Sequence, residues 1–202
     1  MNILYEFATP IGSVELNPIF CQSYVDKILS EVEKNIKNCK DGARYTADNL
    51  NELPEFTELT KLIDKHAAAF IEDAVGIDKT DCKLTCMWAN VHEGQGDHEI
   101  HQHPNSFISG VVYIQIPECE HKGNLLLIDP RPAKNMTFAN FKKQTSLSDR
   151  MIGIEPKTGL MLFFPSWLEH GVSKFINGTG DKRIGISFNY QLIKCSRPTM
   201  RL

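Results

Sequence analysis

The chain has 202 residues, 42% of them hydrophobic and 23% charged, with a formal net charge of −3. That balance supplies one buried core and excludes a disordered chain, a collagen-like fibre and a basic nucleic-acid binder. No segment reaches the roughly 18 to 20 apolar residues of a membrane span, and no charged leader opens the chain, so a cytoplasmic location without membrane or nucleic-acid partners is expected.

An extended start around "FATPIGSVEL" leads to Asn17 and Pro18, a capping residue followed by a first-turn proline. "IFCQSYVDKILSEVEKNI" then carries apolar residues at helical spacing and predicts a first helix. After a polar stretch from Asn38 to Asn51, "PEFTELTKLIDKHAAAFIEDAV" predicts a second helix ended by Gly76. His66 within it reads as a surface or packed residue rather than a ligand.

Beyond Lys79 the pattern changes. "KLTCMWANV", "FISGVVYIQI", "NLLLID", "MIGIEP", "GLMLFFP", "HGVSKF" and "RIGISFNYQLI" are short, rich in β-branched and aromatic residues, and parted by Gly, Pro, Asn and Asp. The helices have no strands between them, which argues against an α/β parallel sheet. The expected architecture is mainly β with N-terminal α-helices, a jelly-roll with the helices packed on one face. Residues 1–202 read as a single domain, with 1–80 the N-terminal strand and helical part and 81–195 the jelly-roll core. The polar stretch from Pro132 to Asp149 reads as a long loop of the kind that often serves as a lid.

Cys21, Cys39, Cys82, Cys86, Cys119 and Cys195 contain no CxxC pair and read as reduced. A strand's period of two would put Cys82 and Cys86 on one face, yet no second pair completes a tetrahedral zinc set.

Three of the seven histidines fall in "HEIHQHPNSFISG". Strand alternation lets His101 and His103 point the same way and share an ion, while His98 falls out of that phase and reads as a loop residue or a supporting partner. Pro104 and Asn105 place the pair at a strand end, near the mouth of a barrel. Imidazole alone does not select among iron, zinc, copper and nickel. A third ligand is offered by His170, which opens a strand just after the break at Pro165, Ser166 and Trp167. In "RIGISFNYQL", Arg183, Gly185, Ser187 and Asn189 share one face of a strand. A guanidinium on an inner face is costly without an acidic partner, which points to an acidic ligand inside the barrel, the alternative being an edge arginine facing solvent.

"HQHPNSFISGVVYIQIP", "LLLIDPRP", "GLMLFFPSWLEHGV" and "RIGISFNY", in this order and spacing, resemble a family of 2-oxoglutarate- and Fe(II)-dependent oxygenases found in marine bacteria and their phages, relatives of prolyl 4-hydroxylase-like enzymes. The resemblance spans about residues 83 to 192. It implies the double-stranded β-helix, a cupin-like jelly-roll, with Fe(II) as cofactor and 2-oxoglutarate as co-substrate. It also implies O2 and a peptidyl or small-molecule substrate as partners, and release of succinate and CO2. Carried over, the catalytic metal ligands are His101, His103 and His170, while Arg183, Ser187 and Tyr113 receive the far carboxylate of 2-oxoglutarate. A phage-encoded protein would work in the host cytoplasm.

The sequence departs from the wider pattern at His103, where a carboxylate is usual. Three histidines could hold the iron, or His103 and His170 with water or Asn105, or a carboxylate from elsewhere such as Asp129; the three-histidine set is the one carried forward. Trp88, Asn90, Trp167 and Arg131 are candidate pocket-lining residues, although both tryptophans read more readily as core. Competing functions are a three-histidine cupin-type dioxygenase, a zinc hydrolase and a non-catalytic jelly-roll binding module.

Overall fold

A computed structural model describes residues 7–35, 39–40, 42–131, 140–143, 145, 148–178 and 180–194. The chain runs β1 (Gly12–Glu15), α1 (Pro18–Gln22), α2 (Val25–Glu33), β2 (Cys39–Lys40), β3 (Ala43–Tyr45), α3 (Thr57–Ala69), β4 (Cys82–Glu93), β5 (Gln95–His101) and β6 (Ile108–Gln115). It continues β7 (His121–Lys122), β8 (Leu125–Ile128), β9 (Met151–Ile154), β10 (Leu160–Pro165), β11 (His170–Ile176) and β12 (Lys182–Leu192). Seven strands form one sheet in the order β1-β10-β6-β12-β4-β3-β2, and a second sheet runs β5-β11-β8-β9 with β7 paired to β11. All strand pairs within these sheets are antiparallel. The expected jelly-roll with helices on one face is the architecture found. The loop expected between Pro132 and Asp149 lies mostly outside the described residues.

The larger sheet is buried on both faces, and β10 shows why its sequence lacks polar alternation. Met161 and Phe163 join the core beneath the helices, whereas Leu160, Leu162 and Phe164 join the core between the sheets. The helices reach the same outer face through Ile28 and Val32 of α2 and Leu59, Ile63 and Ala67 of α3. Each such aliphatic side chain larger than alanine contributes about 1.5 to 3 kcal/mol when fully buried. Gly110 on β6 carries no side chain because a Cβ there would lie 2.4 Å from the Phe188 ring and 2.5 Å from the Leu162 carbonyl oxygen.

The single first helix expected from periodicity is two. Asn17 does cap it, its Oδ1 accepting from the Ile19 N–H at 2.9 Å. The Ser23 hydroxyl then donates to the Phe20 carbonyl at 2.7 Å, competing for an acceptor that a continuing helix would use four residues on. Tyr24 N–H instead closes a tight turn on Cys21, and α2 starts afresh. The second helix ends as expected, with Gly76 in the left-handed region at φ 76°.

Cys82 and Cys86 do not share a face. The register of β4 against β12 shifts between Asn189 and Tyr190, and that irregularity sends Cys82 to the helix-side core while Cys86 accepts from Asn189 Nδ2.

Candidate active site

The inner face of the larger sheet can be read as rungs. His92 pairs with Arg183, Asn90 with Gly185 and Gly185 in turn with Tyr113, Trp88 with Ser187, and Cys86 with Asn189 and Asn189 with Ser109. Arg183, Gly185, Ser187 and Asn189 thus line the inner face that alternation placed together, and the solvent-facing edge arginine is excluded. Gly185 leaves the floor open, because a Cβ there would press on Asn90 Oδ1 at 3.2 Å.

At one end of this barrel stand three histidines. His101 closes β5 and His170 opens β11, and the two are register partners with ring centroids 4.4 Å apart. His103 lies just past the strand, where its backbone N–H donates to the Ser166 carbonyl at 3.1 Å. The turn that follows needs Asn105 at φ 66°, a conformation that asparagine tolerates better than most residues. His101 Nδ1 bonds the Glu99 carbonyl at 2.7 Å and His170 Nδ1 bonds the Leu168 carbonyl at 2.8 Å. A carbonyl can only accept, so both rings carry hydrogen on Nδ1 and present a bare Nε2.

The Nε2 atoms of His103 and His170 are 3.1 Å apart, and ligand atoms of all three histidines lie within 4.8 Å of one another. Two metal–imidazole bonds of about 2.1 Å meeting near a right angle would span about 3 Å between their nitrogens. The donor set therefore fits a divalent transition metal, with the carbonyl bonds behind two rings fixing tautomer and orientation. Burial, with the neighbouring histidine charges, holds His103 down to about 4; burial holds His170 down to about 3, its bond to Leu168 opposing and the other histidines adding. Both rings are neutral near pH 7, as a ligand must be.

Asp129 is not part of this group. Its carboxylate receives Arg131 Nε at 2.9 Å and Nη2 at 2.7 Å, so Arg131 serves Asp129 rather than an evident pocket. Asn105 sits exposed on its turn, also apart from the group.

His98 corrects the phase argument. Between β5 and β11 the register steps from His101 opposite His170 to His98 opposite Val172. The bulge adds one residue to β5 and brings the His98 ring to 5.1 Å from His101. Gly171 accommodates the bulge: a Cβ there would meet the His98 carbonyl oxygen at 2.7 Å and Ile100 Cδ1 at 2.9 Å.

Arg183 is 2% exposed. Its Nε donates to the Lys122 carbonyl and its Nη2 to the Gly123 carbonyl, each at 3.0 Å, and it stands over the Tyr113 ring at 5.4 Å. Burial lowers its proton affinity, and Tyr113 leads the groups that act to restore it; among the described residues no carboxylate forms an ion pair with it. Ser187 Oγ accepts from Asn90 Nδ2 at 3.3 Å. Trp88 is half-buried, its ring 6.0 Å from that of His103, while Trp167 is 52% exposed and no core residue.

A polar cluster that sequence reasoning missed backs the His103 loop. Ser109 Oγ donates to Asn189 Oδ1 at 2.7 Å and sits 2.8 Å from Ser166 Oγ. With the Ser109 proton committed to Asn189, Ser166 must be the donor to Ser109. Ser166 also binds the loop through its backbone, accepting from His103 N–H and donating to the Phe107 carbonyl at 3.0 Å. His92 was missed too, although it continues the alternating phase of Trp88 and Asn90.

Residues 86–189, more than half of the chain, match a family model described as "Putative 2OG-Fe(II) oxygenase". No curated protein matches the sequence. Among solved structures, the viral collagen prolyl hydroxylase of Paramecium bursaria Chlorella virus-1, in its 2-oxoglutarate complex, is similar at TM-score 0.58 and 15% identity, over 91% of this chain and 96% of that one. A Pseudomonas putida prolyl-4-hydroxylase gives TM-score 0.62 and 10% identity over 92% and 94%. HygX from Streptomyces hygroscopicus, with nickel and 2-oxoglutarate bound, gives 0.60 and 13% over 92% and 84%. At such identities these likenesses speak for the fold.

Proposed function

Since the chain belongs to the 2OG-Fe(II) oxygenase family and uses Fe(II), 2-oxoglutarate and O2, we propose that His101, His103 and His170 hold the iron and that Arg183 receives the far carboxylate of 2-oxoglutarate. The observation that carries this reading is the convergence of bare imidazole nitrogens at one end of a barrel whose interior also holds a buried arginine with no carboxylate partner among the described residues. Tyr113 and Ser187 share that inner face and complete the co-substrate pocket. The chain acts as one catalytic domain, the helices backing the sheet whose inner face carries Arg183.

When bound, the iron with 2-oxoglutarate and oxygen supplies the oxidising power for substrate hydroxylation, with succinate and CO2 as products. The protein's share is placement. Carbonyls of Lys122 and Gly123 fix the guanidinium fork, and the Glu99 and Leu168 carbonyls fix two of the ligand rings. Trp88, Leu125, Leu127 and Phe164 give the interior a wall that excludes water. A reducing compartment such as the cytoplasm suits Cys21, Cys82, Cys86 and Cys119, all free thiols.

Anaerobic addition of Fe(II) and 2-oxoglutarate tests the reading. The expected result is a visible charge-transfer band, followed by succinate when oxygen is admitted. No band, with zinc as the native metal, would instead support a hydrolytic zinc site.

A further inference from the structure

The barrel interior is short of negative charge. Its candidate ligands are three imidazoles, neutral when they bind a metal, and among the described residues the one strong charge that shares the inner face is the Arg183 cation. Nearby carboxylates in the chain are committed or in water: Asp129 to Arg131, Glu93 to Arg44 and Lys182, and Asp97, Glu99 and Glu169 exposed.

A divalent metal and Arg183 together bring three positive charges, and 2-oxoglutarate returns two negative ones. One positive charge remains in a low-dielectric interior, where an uncompensated ion is costly. A carboxylate at position 103 would cancel it; the histidine there does not. We propose that the site takes one further monoanion, a carboxylate of the prime substrate or a free halide, at the end of the barrel where His98, Trp88 and the three ligand histidines gather. This rests on the iron and 2-oxoglutarate reading given above. It narrows the prime substrate to molecules that carry an acid group next to the carbon to be oxidised, unless a halide fills the place.

The test uses protein loaded anaerobically with Fe(II) and 2-oxoglutarate, with its visible band read during titration by formate, azide, chloride and, as the neutral counterpart, formamide. Formate or azide should shift the band and saturate, while formamide leaves it in place. In His103→Asp, which restores the missing charge, the same anions should bind at least about tenfold more weakly, about 1.4 kcal/mol. Chloride saturating as readily as formate identifies a halide; formate without chloride identifies a substrate carboxylate. Anions that act no better than formamide overturn the proposal, as does equal anion affinity in His103→Asp. Should that variant load no iron, the comparison of formate with formamide on the unsubstituted protein decides alone. Absence of the band at the outset overturns the iron and 2-oxoglutarate reading, and this inference falls with it.

Discussion

Arg183 owes its place to geometry as much as to charge. Two backbone carbonyls take two of its five N–H donors in a fixed fork, and an ammonium cannot reproduce that fork. Arg183→Lys should therefore weaken 2-oxoglutarate binding by about tenfold or more while Fe(II) binding is kept, since removing a charge-assisted contact costs about 1.5 to 3 kcal/mol. Unchanged 2-oxoglutarate affinity, measured by anaerobic titration, would take Arg183 out of the pocket. The serine cluster makes a prediction about order. Ser109→Ala strands both the Ser166 hydroxyl and Asn189 Oδ1, whereas Ser166→Ala strands no donor, leaving only an oxygen of Ser109 unused. Urea midpoints should fall further for Ser109→Ala, by about 1 to 3 kcal/mol of stability for each group left unsatisfied.

At the scale of elements, the bulge in β5 is the most exacting feature. Gly171→Ala would drive a Cβ against the His98 carbonyl and Ile100, so the bulge must shift or β11 must part from it. Either response moves His101, and iron affinity should fall together with about 1 to 3 kcal/mol of stability. A variant with native Fe(II) affinity would show that the bulge is not what sets His101. This element also explains what the sequence could and could not disclose. Arg183, Gly185, Ser187 and Asn189 were legible because β12 keeps strict alternation over the stretch that carries them. His98, and the opposite faces of Cys82 and Cys86, were not, because one inserted residue inverts the phase and the reason for it lies on a partner strand. The break between α1 and α2 was hidden in a single serine hydroxyl. His101, His103 and His170 stood out as imidazoles at strand ends; Ser109 and Ser166 did not, since serine beside a turn is commonplace.

Across the whole molecule, helices and barrel are joined by a polar link as well as by the shared core. The Tyr190 hydroxyl donates to Asp64 Oδ1 at 2.7 Å, tying β12 to α3, and burial with Asp64 pushes its proton affinity up. Lys79 approaches the same carboxylate at 3.4 Å. Tyr190→Phe should lower the melting temperature, through about 1 kcal/mol of lost hydrogen bonding, without altering 2-oxoglutarate affinity; a change in affinity alone would mean that the helices tune the pocket.

Ser166, holding the His103 loop with one backbone bond and the Phe107 carbonyl with another, has a consequence for breathing motions. The loop and the turn before β11 cannot open separately without breaking both bonds, so they form one cooperative unit. His103 and His170, the proposed ligands sixty-seven positions apart in the chain, would then bind a metal only when that unit is closed. In deuterium exchange, the amides of His103 and Ser166 should open at a common rate, and metal should slow them together.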